Sequence, residues 1–135
     1  MTIRPIKITD YDQLIDFWKE NYIVTPLDEY NRVEIFLKKN PGFSFIVEEK
    51  GEILGTVLGS YDGRRGSLQK VVVSKQLRGK GIGQKLVSKA IKRLEVAGAI
   101  DIRFSTSEEL AGFYEKCGFT KENKPLMVMR NFSFK

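Results

Sequence analysis

From Ile82 the chain carries apolar residues at three- and four-residue steps, through Leu86, Val87, Ala90, Ile91 and Leu94 to Ala97. A stripe with that period faces a core while the Lys, Gln and Glu between face water, so an amphipathic helix is predicted, closed by Gly98. Elsewhere the period is two. Phe43, Phe45 and Val47 alternate with Ser44, Ile46 and Glu48, which predicts a strand. Lys50-Gly51 turns into a second strand, Ile53 to Tyr61, and Asp62-Gly63 turns again into Leu68 to Ser74. At the start, Ile3 to Ile8 predicts a strand. Thr9 or Asp10 then caps a helix carrying Tyr11, Leu14, Ile15, Phe17 and Trp18. Thr25-Pro26-Leu27-Asp28 opens a second helix that Asn40-Pro41-Gly42 ends. Ile100, Ile102 and Phe104 alternate in a short strand, Glu108 to Lys116 reads as a helix ending near Gly118, and Leu126 to Phe132 as a closing strand. The predicted order is β-α-α-β-β-β-α-β-α-β, a mixed α/β fold without linkers or repeats.

Bulk properties narrow the class. At 135 residues and 41% hydrophobic, the chain is expected to form one domain, 1–135, around one core. Met1-Thr2-Ile3-Arg4-Pro5 lacks the apolar region of a signal peptide, and no run is long enough to span a membrane. With Cys117 alone there is no internal disulfide, so a cytoplasmic protein with no membrane partner is expected. No histidine exists, which excludes a Cys/His nucleophile, and no His/Cys cluster suggests a metal. The net charge of +6 is concentrated in Lys70, Lys75, Arg78, Lys80, Lys85, Lys89, Lys92 and Arg93, broken by no acid. Nucleic acid is not the expected partner, because that basic stretch contains no aromatic residue on which bases could stack. A polyphosphate ligand suits it better. Lys89, Lys92 and Arg93 read as a solvated helix face; Arg78 and Lys80, with Lys85, are the cations expected to reach phosphate.

Candidate chemistry sits where the β-branched run Val71-Val72-Val73 gives way to Leu77-Arg78-Gly79-Lys80-Gly81-Ile82-Gly83-Gln84 and the long helix. Strand, glycine-rich turn, helix is an anion cradle: a helix start offers unpaired N–H groups and a positive dipole end, and glycine lets phosphate approach the main chain. Spacing separates the proteins that build one. No glycine here is followed by Lys-Ser or Lys-Thr as a P-loop requires. The dinucleotide pattern G-x-G-x-x-G fails at Gln84, although Asp101 stands about where a ribose-binding acid would fall. The pattern Arg/Gln-x-x-Gly-x-Gly/Ala is met in full by Arg78, Gly81 and Gly83. It resembles the acyl-CoA-binding loop of the GNAT superfamily of N-acetyltransferases. A glycine-rich helix entry with no ligand is the plainer alternative, though a structural turn needs only one glycine and three cost stability.

The resemblance continues on both sides. Ser107-Glu108-Glu109-Leu110-Ala111-Gly112-Phe113-Tyr114-Glu115-Lys116-Cys117-Gly118-Phe119 resembles the family's C-terminal motif in Tyr114, Gly118 and Phe119, with Ser107 for the usual Asn and Leu110 for the usual Ala. Gly59 to Gly66 resembles a subgroup of small bacterial members with a Tyr-Asp-Gly hairpin at this point. The resemblance spans about residues 43 to 119 and implies a mostly antiparallel, splayed sheet. It implies that the main chain of Val71, Val72 and Val73 pairs with the pantetheine arm of coenzyme A, an N–H of Val72 or Val73 facing the oxyanion. Arg78, Gly79, Lys80, Gly81, Ile82 and Gly83 then hold the pyrophosphate. Ser107 hydrogen-bonds the pantetheine or, equally, caps its helix. Tyr114, a phenol of pKa about 10, is the implied acid that protonates the departing thiolate; otherwise it is an amphipathic core residue. Phe113 and Cys117 read as packing.

The general base is the gap. An amine of pKa about 10.4 must lose a proton, at a cost of about 4.6 kcal/mol at pH 7. Where many family members carry a Glu, this chain has Gln69, Lys70 and Ile102. Asp28, Glu29, Glu34 and Asp62 read as surface carboxylates, and Trp18, Tyr22 and Tyr30 as core aromatics rather than an acceptor wall. The expected activity is N-acetylation by acetyl-CoA, without metal, by direct attack of a small-molecule or peptide amine in a ternary complex. A non-catalytic acyl-CoA sensor is the alternative, and the protein could be a monomer or a homodimer.

Overall fold

Arg4 shows how the first elements are joined. It lies on strand β1 (Thr2–Pro5), and its guanidinium forks onto Asp10 at 2.9 Å through both terminal nitrogens while its Nε reaches Glu48 at 2.8 Å. Asp10 precedes helix α1 (Tyr11–Asn21), and Glu48 belongs to strand β2 (Phe45–Glu49). Two strands and a helix start thus share one cation, and Arg4 holds the Asp10 carboxyl below the usual carboxylate range. This computed structural model describes residues 1–132. Helix α2 (Tyr30–Lys39) lies between α1 and β2; after it come β3 (Glu52–Tyr61), β4 (Gly66–Val73), α3 (Ile82–Ala97), β5 (Ile102–Arg103) and α4 (Ala111–Lys116). The contacts divide the chain into two units, Met1–Ser105 and the part beginning at Thr106.

In the first unit the five strands form one sheet in the order β1-β2-β3-β4-β5, antiparallel except for the parallel pair β4/β5. Side chains on β3 alternate between faces, and the two faces are filled differently. Thr56 faces α1, where Leu14, Trp18, Ile46, Leu58 and Val72 form a core with Ile6 and Phe17. Gly55, one residue back, faces α3. A Cβ there would stand 2.8 Å from Leu86 Cδ1, so this glycine lets the long helix seat against the sheet. Leu86, Val87, Ala90 and Leu94 of α3 are fully buried, the stripe that the sequence periodicity marks out. Gly98, at φ +110°, closes that helix, donating to Glu95 O. At the far end Asp62 shapes the β3–β4 hairpin by accepting the N–H groups of Arg64 and Arg65, both at 2.8 Å.

The second unit holds a turn, Glu108–Leu110, and the short helix α4. Tyr114 is its buried residue, edge-on to Phe113 at 4.9 Å and to Phe119 at 6.3 Å between centroids. Gly118, at φ +100°, turns the chain out of the helix. Two expectations are corrected here. The strand sought around Ile100 to Phe104 shrinks to Ile102–Arg103, and Leu126 to Phe132 forms no strand. Leu126, Met127, Val128 and Met129 are exposed. Their apolar composition suits a strand, but a strand needs a sheet edge of several residues, and no ladder among the described residues includes them. No helix among the described residues is long and apolar enough to cross a membrane.

Candidate functional site

Strand β4 is paired unevenly. Against β3 it runs from Gly66 to Val73, whereas β5 covers only Gly66 and Ser67. Past Ser67 its other edge therefore has no strand beside it among the described residues. The ladder to β3 is also broken. Leu58 faces Gln69 but Thr56 faces Val72, so two steps on β3 span three on β4, and a bulge falls at Lys70. Lys70 takes φ +50°, a left-handed conformation that costs a non-glycine residue about 1–2 kcal/mol. Beyond the bulge, Ser74 N–H donates to Leu54 O at 2.9 Å. Antiparallel alternation then turns the peptide groups of Val72 toward β3 and those of Val71 and Val73 toward the open edge. Val73 O, on that edge, accepts Arg78 Nε at 3.1 Å. Of the two N–H groups considered for an oxyanion, only that of Val73 faces outward.

The open edge runs into the glycine loop. Lys75–Leu77 make one 3-10 turn, Gly79 takes φ +81°, and Gly81 takes φ +84° as the N-cap of α3. Lys85 N–H donates to Gly81 O at 3.1 Å, so the N–H groups of Ile82, Gly83 and Gln84 precede the first intrahelical bond. A Cβ at Gly79 or Gly81 would meet no atom within 4 Å, so the space beside these two glycines is open. Ile82 and Gly83 are buried against the sheet, and Lys80 and Lys85 are exposed beside the loop. Arg78, exposed beside the loop, donates to Asn21 O at 2.9 Å as well as to Val73 O. Its guanidinium braces the loop against the end of α1. Asn21 does the same from the other side, its buried Oδ1 accepting Lys75 N–H at 3.0 Å. The sequence offers no signal for this clamp, because Asn21 reads as the end of an amphipathic helix.

A second buried constellation surrounds the bulge. Lys70 Nζ lies 2.9 Å from Asp28 Oδ2, donates to Ile23 O at 2.8 Å, and stands over the rings of Trp18 and Tyr22 at 5.0 and 5.4 Å. Asp28 is only 3% exposed, which corrects its reading as a surface carboxylate: the turn Pro26–Asp28 folds it inward against Lys70. Trp18 is core as expected, but Tyr22 and Tyr30 are exposed. Tyr22 lies just past the last turn of α1, and Tyr30 packs edge-on against Tyr11 at 5.1 Å. Glu29 is exposed, and Glu34 pairs with Lys38 at 3.8 Å. Asp62 is exposed, and its hydrogen bonds from Arg65 and Arg64 keep its carboxyl below the usual range, which weakens it as a base. On α3, Arg93 and Lys89 are exposed yet lie over Phe43 and Phe45 at 4.6 and 5.8 Å. A depression of about 340 Å³ lined by Asn40, Tyr61, Asp62 and Arg65 adjoins the hairpin. Eight residues of extended β4 put it about 25 Å from the glycine loop.

In the second unit, Ser107 makes no side-chain cap; only its carbonyl is used, by Leu110 N–H at 3.1 Å. Tyr114 is 7% exposed. Burial pushes the Cys117 thiol up, away from a reactive thiolate.

The open strand edge leads into a glycine loop at a helix N-terminus, and comparison with known proteins shows the family that the chain belongs to. The sequence model of the acetyltransferase (GNAT) family matches residues 11–119. An acetyltransferase of Pectobacterium atrosepticum is 32% identical over 120 residues, 86% of this chain and 85% of that protein. Among solved structures, glucosamine-6-phosphate N-acetyltransferase of Arabidopsis thaliana superposes with a TM-score of 0.74 at 26% identity, covering 98% of each chain. A predicted acetyltransferase of Clostridium acetobutylicum, crystallised with acetyl-CoA, shares the fold alone, with a TM-score of 0.73 at 16% identity over 95% of each chain. The chain belongs to the GNAT family of acetyltransferases. It has the family's fold, and its chemistry is acyl transfer.

Proposed function

We propose that this protein is an acetyl-CoA-dependent N-acetyltransferase that acetylates a primary amine by direct attack in a ternary complex. The observation that carries this reading is the continuity of β4's open edge with the glycine loop. An acyl-CoA has an extended amide-bearing arm ending in a pyrophosphate. The outward peptide groups of Val71 and Val73 suit the arm as an added strand would. The N–H groups from Ile82 to Gln84, with the clear space at Gly79 and Gly81 and the charge of Lys80, suit the pyrophosphate. Acetyl-CoA would supply the activated acyl thioester. In this reading the outward Val73 N–H would meet charge developing on the thioester oxygen, and the family pattern gives Tyr114 the task of protonating the departing sulfur. The family pattern gives Ser107, whose side chain makes no cap hydrogen bond, a hydrogen bond to the arm.

No carboxylate on β4 is available as base, and the ammonium of Lys70 is already engaged. The amine therefore reaches its attacking form by losing its proton to water. Activity is expected to rise with pH along the acceptor's own pKa, with no enzyme limb near 6. The missing base also supports a second reading, an acyl-CoA sensor without turnover. A panel of small amines and peptides, assayed for acetyl-CoA-dependent thiol release between pH 6 and 10, separates the two. Turnover with an acceptor-dependent limb supports the enzyme. Thermal stabilisation by acetyl-CoA without thiol release supports the sensor. If acetyl-CoA stabilises no better than NADH or ATP, both readings fail.

A further inference from the structure

We infer that the hydroxyl of Thr56 is a positioning residue: it pins the β4 bulge and thereby sets the strand edge that acetyl-CoA would use. The inference about the ligand rests on the reading above; the pin itself does not. Thr56 is fully buried on β3, opposite the strand segment that follows the bulge. Its Oγ1 donates to Lys70 O at 2.9 Å and accepts Trp18 Nε1–H at 3.0 Å. A bulge deprives one carbonyl of its ladder partner, and here the Thr56 hydroxyl replaces that partner. Lys70 is the residue in the left-handed conformation, and it is held at both ends: its carbonyl by Thr56, its ammonium by Asp28 and Ile23 O. The chain Trp18–Thr56–Lys70 therefore links the core of α1 to the one irregular residue of β4. The direction of the Val71 and Val73 peptide groups depends on that residue. Were the bulge to relax by one position, the outward and inward peptide groups would exchange.

Substituting Thr56→Val keeps shape and removes both bonds, leaving two buried groups unpaired. Thr56→Ser keeps the hydroxyl. Trp18 is the single tryptophan, so its indole N–H gives one unambiguous nuclear magnetic resonance signal. In Thr56→Val the indole signal and the amides of Lys70 to Val73 are expected to move, and both return toward wild type in Thr56→Ser. Titration with acetyl-CoA is expected to give about tenfold weaker binding for Thr56→Val and less than about twofold for Thr56→Ser. Val57→Ala, a buried change on the opposite face of β3, serves as control: it lowers Tm but leaves acetyl-CoA affinity unchanged. Should Thr56→Val not fold, Thr56→Cys, with similar volume and a weak S–H donor, is read against Thr56→Ser in the same two measurements. Unmoved amides at Lys70 to Val73 would overturn the pin, and wild-type affinity in the variant lacking the hydroxyl would overturn its link to acetyl-CoA binding. If the wild-type protein itself binds no acetyl-CoA, the functional reading has failed, and the amide shifts still decide whether Thr56 sets the bulge.

Discussion

The two ends of β4 are the same strand built to opposite ends. At Gly66 and Ser67 both edges are paired, to β3 and to β5, and an Asp62-braced hairpin closes the turn. At Val71 to Val73 only one edge is paired among the described residues, Lys70 breaks the ladder, and the strand opens onto a loop with two left-handed glycines. Side-chain chemistry does not explain the difference, since Val71, Val72 and Val73 are ordinary sheet residues. Main-chain groups left over when strand pairing stops are what a ligand can use, and polar contacts around the bulge and the loop hold the strand in that register. Asn21, Thr56, Asp28 and Arg78 all serve the open end.

The comparison is tested most severely by Tyr114→Phe. Removing one hydroxyl while keeping the ring is expected to lower kcat about 10²–10⁴-fold with acetyl-CoA affinity and Tm nearly unchanged. Undiminished turnover would remove the acid from the account and leave the open edge as a binding device only. Next comes the buried pair at the bulge. Asp28→Ala leaves the Lys70 ammonium buried without its anion and should cost about 3–5 kcal/mol of stability, read by urea denaturation. Asp62→Ala, at the paired end, is expected to shift the midpoint much less, because its carboxylate is exposed. Equal losses would mean that the two ends are not differently built. Gly81→Val is expected to cost about 1–2 kcal/mol through its left-handed backbone and to weaken acetyl-CoA binding more than Gly63→Val in the hairpin, by isothermal calorimetry.

The smallest effect concerns acid. Arg4 holds the Asp10 carboxyl below its ordinary pKa, so the pair contributes stability that is present above that ordinary value. It is lost as pH falls through the depressed one. Tm should be insensitive to this pair between pH 7 and about 5 and fall below about 4. In Asp10→Asn the neutral-pH Tm is lower and the acid slope shallower. An unchanged slope would show that other carboxylates dominate.

What the sequence disclosed divides along the same line. The stripe of α3, the Gly98 cap, the glycine loop and the Asp62-Gly63 hairpin are local, and each is written in neighbouring residues. The bulge is not local. Its cause is a register between β3 and β4 and a hydroxyl fourteen residues away, so nothing in the residues beside Lys70 marks it. Asp28 looked solvated for the same reason: its partner arrives from another strand. Arg78 was legible as a cation of the loop, but its hydrogen bonds to the carbonyls of Val73 and Asn21 were not, because Asn21 comes from a distant helix. Leu126 to Phe132 carries a strand's composition but joins no ladder among the described residues. Tyr114 was visible only through a family resemblance, because a buried tyrosine on a short helix has no distinguishing local pattern.

The most direct test follows the main-chain amides during titration with acetyl-CoA. The account predicts that the amide signals of Val71, Val73 and Gly79 to Gly83 move in a saturable way, while those of Asp62 to Ser67 stay fixed. Saturable shifts confined to the hairpin end, or no shifts at any acetyl-CoA concentration, would contradict it.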